Sequence, residues 1–415
     1  MRSGQNKTAS KHSKHRTLKF LLILILILAA AISALIVYSY KAAEKSLYIS
    51  FTDNASALEA GGKYPAMDFV ADSEGDVSPA AEFLDTDTAG TRELQYTVSK
   101  SLYGGLLKTE KQFTLSYSAV DTEPPVQLWS GDGVVLERGT EFNINDVIGF
   151  GDNADPSPEV KVDGKINMKK NGRYPLHVTV TDASGNSIDW DLSVEVADNV
   201  PLYTDNSPRT PFRDFISEYK ADGRSFGIDV STWQGDIDFD AVKAAGCEFV
   251  IIRIGYSKDD KVTLDDKFEQ NYKNARAAGI PVGVYLYSYD NTEEKVRSSA
   301  DWIIVKLGED KPDLPVVFDW EDFGRFQTYE MSFTDLNNMY DAFSDELAGS
   351  GLDCMLYGNL NSLEKVWKYT DTRPVWLAHY TDKTDYKGPY RIWQASSTGR
   401  IDGIDADVDM DIMYE

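Results

Sequence analysis

The sequence predicts a multidomain chain: an N-terminal transmembrane helix, two all-β sandwich units, and a C-terminal TIM-like α/β barrel with eight strands and about five helices. Three observations carry that expectation. A nearly unbroken apolar run occupies residues 20–38. A ten-residue strand pattern at 90–99 recurs at 172–181. From Phe226 onward, short apolar runs alternate with helical periodicity, the signature of βα units.

With 415 residues the chain is long enough for two or three domains, each with its own core. A formal net charge of −25 argues against nucleic-acid binding, which needs basic stripes. The acidity reads as a solvated surface rather than a docking site for a cationic partner. Cys247 and Cys354 each adjoin an apolar run and read as buried free thiols. Of the four histidines, only His379 lies in the C-terminal half. No G-x-S-x-G elbow accompanies it, and a zinc site of the His/Cys type lacks ligands. No metal or cofactor is expected, so acid–base chemistry there falls mainly to carboxylates.

The run at 20–38 approaches the ~20 residues a helix needs to cross a bilayer. Arg2, Lys7, Lys11, Lys14, Arg16 and Lys19 precede it, which places the N-terminus in the cytoplasm. Residues 1–19 are therefore expected to be a basic cytoplasmic tail and 20–40 an uncleaved signal anchor. A cleaved signal peptide is the rival reading, but its apolar core would normally be only ~7–15 residues. Under either reading the remaining chain is extracytoplasmic.

Two β-sandwich units are expected at 41–121 and 122–198. Alternation through Leu176, His177, Val178, Thr179 and Val180 precedes the turn Asp182-Ala183-Ser184-Gly185-Asn186. With the opening Asp121-Thr122-Glu123-Pro124-Pro125, these residues make the second unit resemble bacterial Ig-like or cadherin-like surface repeats. The first unit is weaker, interrupted by Tyr103-Gly104-Gly105. No cluster of aromatic residues argues for carbohydrate binding, so both units are expected to act as spacers. Residues 199–224 read as a linker with one short helix.

In the barrel, at 225–415, strands are expected at 226–230, 249–254, 281–287, 314–319, 354–357, 375–379, 391–395 and 408–413. Helices are expected at 238–245, 268–278, 292–307, 335–348 and near 362–368. Gly246, Gly279, Gly308 and Gly349 stand where helix C-caps belong. Beyond the sixth strand the gaps are too short for crossover helices.

Barrel chemistry sits at the C-terminal ends of the strands. Asp319 and Glu321 follow the apolar run that begins at Leu314, separated only by Trp320. Residues i and i+2 of a strand share a face, with Cα atoms roughly 6.5 Å apart. Such a pair suits glycosidic bond cleavage, in which one carboxyl holds a proton and another stays charged. Asp229 ends the first strand. Asp409 starts the eighth, which leaves its place relative to the mouth open. Tyr285, Tyr287, Tyr357, Trp376, Tyr380, Trp393 and Gln394 also fall near strand ends and fit a groove for sugar rings.

Six motifs in order give the barrel region its family resemblance. They are Gly227-Ile228-Asp229-Val230-Ser231-x-Trp233-Gln234-Gly235, Phe249-Val250-Ile251-Ile252-Arg253, Gly283-Val284-Tyr285, Pro315-Val316-Val317-Phe318-Asp319-Trp320-Glu321, Trp376-Leu377-Ala378-x-Tyr380, and Trp393-Gln394 with Val408-Asp409. On these, residues 226–414 resemble the glycoside hydrolase family 25 lysozymes, the Chalaropsis-type muramidases. The resemblance implies hydrolysis of the β-1,4 bond between N-acetylmuramic acid and N-acetylglucosamine, with peptidoglycan glycan strands as the partner. It implies Glu321 as general acid, Asp319 as the carboxylate assisting the substrate's acetamido group, and Asp229 and Asp409 as orienting charges. It also brings Arg253, within its motif, into the expected substrate-binding set. Glu321 would need a raised pKa, which a neighbouring charge such as Asp319 would supply. Phe239 and Asp411 depart from the family pattern, where Trp and Asn are common. The alternative reading is a non-catalytic wall-binding module that keeps the groove without turnover.

Overall fold

The computed structural model describes residues 6–201, 206–368 and 370–414. Residues 1–5 of the expected tail and 202–205 of the expected linker lie outside the described residues. The chain partitions into two compact units, 1–120 and 121–415.

The first unit begins with a helix, Asn6–Ser46, that extends past the expected span on both sides. Within His15–Ser46 an 18-residue stretch has a mean hydropathy of 3.3, and the helix is long and apolar enough to cross a membrane. A four-stranded sheet follows, in the order Leu58–Glu59, Leu107–Val120, Gly90–Leu102, Asp76–Pro79, with a two-stranded ladder of Tyr48–Phe51 and Val70–Glu74. Tyr96, Leu115, Phe69 and Leu58 close its core. Tyr103-Gly104-Gly105, which interrupts the sequence pattern, is the turn that joins the two long strands of a hairpin.

The second unit opens with an Ig-like region. Four strands pair in the order Glu159–Asp163, Gly172–Thr181, Ser187–Ala197, Val135–Glu137. Val126–Ser130 and Ile148–Gly151 form a separate ladder. Val178, Val180, Val194 and Phe150 fill the space between the two, as alternation requires.

The barrel follows. Its strands are β1 (Arg224–Val230), β2 (Phe249–Lys258), β3 (Val282–Ser288), β4 (Val316–Asp319), β5 (Cys354–Asn359), β6 (Val375–Ala378), β7 (Ile392–Arg400) and β8 (Val408–Tyr414). The eight close on themselves, since β8 pairs with both β7 and β1. Five helices pack outside: α1 (Phe239–Ala244), α2 (Phe268–Ala277), α3 (Glu293–Leu307), α4 (Phe333–Gly349) and α5 (Leu360–Lys365). Asp238, Thr292, Ser332 and Asn359 cap four of them through side-chain oxygens that accept first-turn N–H groups. Gly349 is not the C-cap of α4 as expected: it is the last helical residue, Ser350 is the cap, and Gly351, at φ 69°, takes the left-handed turn.

The eighth strand departs from an all-parallel barrel. It runs antiparallel to both neighbours, because the seven residues between Arg400 and Val408 are too few for a crossover. The expected linker also contributes structure: Thr210–Pro211 pairs with β7, and Phe212–Tyr219 forms the one short helix.

The Ig-like ladder does not stand apart from the barrel. It lies on the 3-10 segment Phe323–Tyr329 that follows β4. A Cβ at Gly149 would meet the Phe323 and Gly324 carbonyl oxygens at 2.7 and 2.8 Å; one at Gly151 would meet the Phe333 and Phe326 rings at 2.5 and 2.6 Å. Glycine is what permits this approach. Gln327 donates to the Ile148 carbonyl at 2.9 Å, and Arg325 pairs with Asp146. The Phe333 N–H donates to the Asp152 carbonyl at 2.7 Å, and Thr334 donates to the Asn153 carbonyl through both its N–H and its hydroxyl. Spacing alone does not describe this region.

Candidate active site

Alternation along each strand decides what enters the barrel. Ile228, Val250, Val284, Phe318, Leu356, Leu377 and Met410 face outward into the layer between strands and helices. Phe249, Ile251, Val317, Met355, Tyr357, Trp376 and Ile392 pack within the barrel. The same parity sends Asp229, Arg253, Tyr285, Tyr287, Asp319, Gln394, Asp409 and Asp411 inward.

The antiparallel β8 resolves the position of Asp409. Because that strand runs the opposite way, its beginning lies beside the C-terminal end of β1, and Asp409 is the register partner of Asp229. On the other side Asp319 is the register partner of Tyr287. Four carboxyls thus gather at one end: Asp229, Asp319, Asp409 and, one step beyond β4, Glu321.

Gln394 ties the floor together. Its Nε2 donates to Asp229 Oδ2 at 2.8 Å, while its Oε1 accepts from the hydroxyls of Tyr357 at 3.0 Å and Tyr380 at 2.9 Å. Trp376 donates to Asp411 Oδ1 at 2.8 Å, and its ring lies edge-on to Tyr357 and Tyr285.

Burial sets the acidities. It is the main force raising Asp229, Asp319, Glu321, Asp409 and Asp411 above the usual carboxylate range. For Asp229 the charges of Asp409 and Asp411 add to it, against the Gln394 hydrogen bond. Asp409 is pushed up to about 7 by burial and then by the Glu321 charge. The expected cause of the Glu321 shift is corrected: burial raises it, while its hydrogen bond with Asp319 pulls the other way. That bond raises Asp319, which Arg253 opposes.

Three expected sugar-binding residues lie elsewhere. Trp393 faces outward, donates to the His379 carbonyl at 2.9 Å and packs on Tyr219 of the linker helix. It cannot share the mouth with its neighbour Gln394, because adjacent strand residues point to opposite faces. Trp376 is only 2 % exposed, too buried to offer a stacking face. The Arg253 guanidinium is held by Asp265, 2.8 Å away, so it acts on the site by charge rather than as a free donor fork. Tyr380, 56 % exposed, does present a ring.

Sequence reasoning missed two groups. Trp233, on the loop leaving β1, is 76 % exposed, although its motif had been noted. The other group belongs to the Ig-like region. A cleft of about 860 Å³ is lined by Glu321, Asp322, Phe323 and Asn359 on the barrel side, and by Leu128, Trp129, Asn145 and Asp146 on the other. Cys247 and Cys354 are buried and unpaired.

Comparison with known proteins agrees with this geometry. Residues 228–404 match the model for glycosyl hydrolases family 25, and residues 126–196 that for the bacterial surface protein Ig-like domain. Lysozyme M1 of Streptomyces globisporus is 32 % identical over 196 residues, covering 44 % of this chain and 65 % of that protein. The autolytic lysozyme of Clostridium acetobutylicum is 28 % identical over 197 residues, covering 46 % and 56 %. The chain thus spans somewhat over half the length of these curated relatives. Among solved structures, the bacterial lysozyme from Streptomyces coelicolor aligns at 26 % identity and a TM-score of 0.38, covering 45 % of this chain and 90 % of that one. The C-terminal half of the chain thus carries a region that matches glycosyl hydrolases family 25, with a region matching the bacterial surface Ig-like domain preceding it in sequence.

Proposed function

We propose that the protein is a membrane-anchored, extracytoplasmic peptidoglycan hydrolase, a muramidase that cleaves the β-1,4 bond between N-acetylmuramic acid and N-acetylglucosamine. The observation that carries this reading is the Asp319–Glu321 pair at the barrel mouth, Asp319 buried and Glu321 half-buried, across from Asp229 and Asp409.

In this reading Glu321 is the general acid. Its proton passes to the glycosidic oxygen as the C1–O bond breaks, and burial, which raises its pKa, helps it hold that proton until then. Asp319, the carboxylate of the pair, orients the substrate's acetamido group, whose carbonyl oxygen attacks C1. Glu321, now a carboxylate, takes a proton from water as water attacks C1, and configuration is retained. Asp229, held by Gln394, and Asp409 orient the reacting sugar by hydrogen bonding from across the mouth. Tyr287 and Tyr380 border the reacting sugar, and the cleft running from Glu321 to Trp129 accommodates the strand beyond it, where aromatic rings stack on sugar faces.

The apolar helix supports an anchor with a cytoplasmic N-terminus, and a domain suited to wall glycan supports placement outside the membrane. Residues 41–121 act as a β-sandwich-like spacer in this reading, and the barrel serves as the TIM-like catalytic domain.

The test is digestion of purified peptidoglycan by the full chain and by Glu321→Gln. Release of fragments with reducing N-acetylmuramic acid ends, lost at least ~100-fold in the variant while wall binding persists, is expected. Reducing N-acetylglucosamine ends would overturn the bond assignment, and unchanged release would overturn the role of Glu321. Retained participation of the acetamido group requires that de-N-acetylated glycan resist cleavage; equal rates on both would reject it.

A further inference from the structure

Asp121, Asp152 and Asp182 come together at the end of the Ig-like region that touches the barrel. Each offers a carboxylate oxygen within 4.8 Å of those of the other two. The three arrive from separate places: the strand-free lead-in at 121, the loop after Ile148–Gly151, and the turn between Gly172–Thr181 and Ser187–Ala197.

Most of their oxygens are committed to shaping these loops. Asp152 Oδ1 accepts from the Ala154 and Asp155 N–H groups at 2.9 and 2.7 Å. Asp182 Oδ1 accepts from Ser184 and Asn186 N–H at 2.9 and 2.8 Å, and its Oδ2 from Asn186 Nδ2 at 2.9 Å. Asp121 Oδ1 accepts from Asn153 Nδ2 at 3.2 Å. One oxygen is different. Asp152 is 0 % exposed, and its Oδ2 is sealed from solvent with no hydrogen-bond partner. A buried carboxylate oxygen left bare costs free energy that native structures normally recover.

Among the described residues none of the three carboxylates is in an ion pair with lysine or arginine, and the neighbouring charges felt by Asp121 and Asp152 are carboxylates. Three like charges held this close, one fully buried, need a counter-charge. The donor set is all oxygen, which selects a hard cation rather than zinc or copper. Calcium takes oxygens at ~2.3–2.6 Å in a flexible shell, which suits carboxylates brought together from three separate loops. Magnesium demands near-ideal octahedral geometry at ~2.0–2.1 Å and usually keeps several waters instead of taking an all-protein cage.

We infer that Asp121, Asp152 and Asp182 form a calcium site that locks the Ig-like domain onto the barrel. The lock follows from what the same loop does on its other side. The Asp152 and Asn153 carbonyls accept from the N–H groups of Phe333 and Thr334 in the first turn of α4, which have no partner within the helix. A cation that fixes the Asp152 carboxylate fixes those carbonyls, and with them the wall of the cleft facing Glu321. The site is independent of the hydrolase reading.

The test is calorimetric titration of the full chain, purified in detergent and stripped with chelator, with calcium chloride alone. One saturable site per chain is expected, with at least ~10-fold weaker binding of magnesium. Calcium should also slow hydrogen exchange at the Phe333 and Thr334 amides and raise Tm. Asp152→Asn should lose binding. Because that buried change can also impair folding, Asp121→Asn at the partly exposed position is the second variant, expected to keep its fold and bind at least ~10-fold more weakly. Absence of saturable binding, or unchanged affinity in Asp121→Asn, overturns the inference. Running the titration in the Glu321→Gln protein separates it from activity, since calcium binding is expected there unchanged.

Discussion

Asp229 and Asp409 stand directly opposite one another on the antiparallel pair formed by the first and last barrel strands. Both are acids raised by burial, and each lies within the other's field or that of a further carboxyl. The folded protein therefore retains protons that the unfolded chain releases near pH ~4. That stabilisation is fully present below the unfolded value and is lost as pH rises toward the folded one, about 7 for Asp409. Tm should fall by a few °C between pH 4.5 and 7.5, and fall less in Asp409→Asn. A wild-type Tm that rises across this range would contradict the assignment.

Gln394 serves three partners, and its replacement separates positioning from packing. Gln394→Leu strands Asp229 without its donor and leaves two tyrosine hydroxyls without their acceptor. We expect kcat on peptidoglycan to drop ~10–100-fold with KM little changed, and the acidic limb of the pH–rate profile to move upward as the Asp229 acid rises further. Gln394→Glu should restore the acceptor but not the donor. A profile unmoved in Gln394→Leu would reduce the residue to packing.

Trp129 tests whether the Ig-like region takes part in substrate binding. Trp129→Ala should raise KM on polymeric wall by several-fold while leaving short fragments, which do not reach across the cleft, unaffected. Equal effects on long and short substrates would place the ring outside the path of the strand.

Gly151 tests the joint itself. Gly151→Ala would push a methyl group into the Phe326 and Phe333 rings, an overpacking that typically costs about 1–3 kcal/mol. Thermal unfolding should show the loss, and proteolysis between the Ig-like region and the barrel should accelerate. A variant as stable as the parent would mean that the ladder can retreat from Phe323–Tyr329 without penalty.

Much of the barrel was legible in the sequence because its strands are short apolar runs separated by capped helices, and each expected strand and helix is present within a few residues. The direction of β8 was not read, although seven residues between Arg400 and Val408 leave room only for a reversal. Its consequence was the uncertainty over Asp409. Trp393 was misplaced for a similar reason: the motif joins it to Gln394, but the pleat separates them. Among the aromatics near strand ends, sequence does not distinguish the exposed ring of Tyr380 from the buried one of Trp376. The docked Ig-like region was least legible. Gly149 and Gly151 signal only that some backbone comes close, not which one, and Trp129 has no partner of its own kind in the sequence.

The reversed last strand has a consequence for timing. Asp409 and Asp411 are among the last residues of the barrel to be synthesised, and their strand is the one that joins β7 back to β1. Until it arrives, Asp229 has no opposing strand, Trp376 has no carboxylate to bond, and the ring of strands is open. A nascent or truncated barrel can therefore assemble the Asp319–Glu321 pair without the charges across from it.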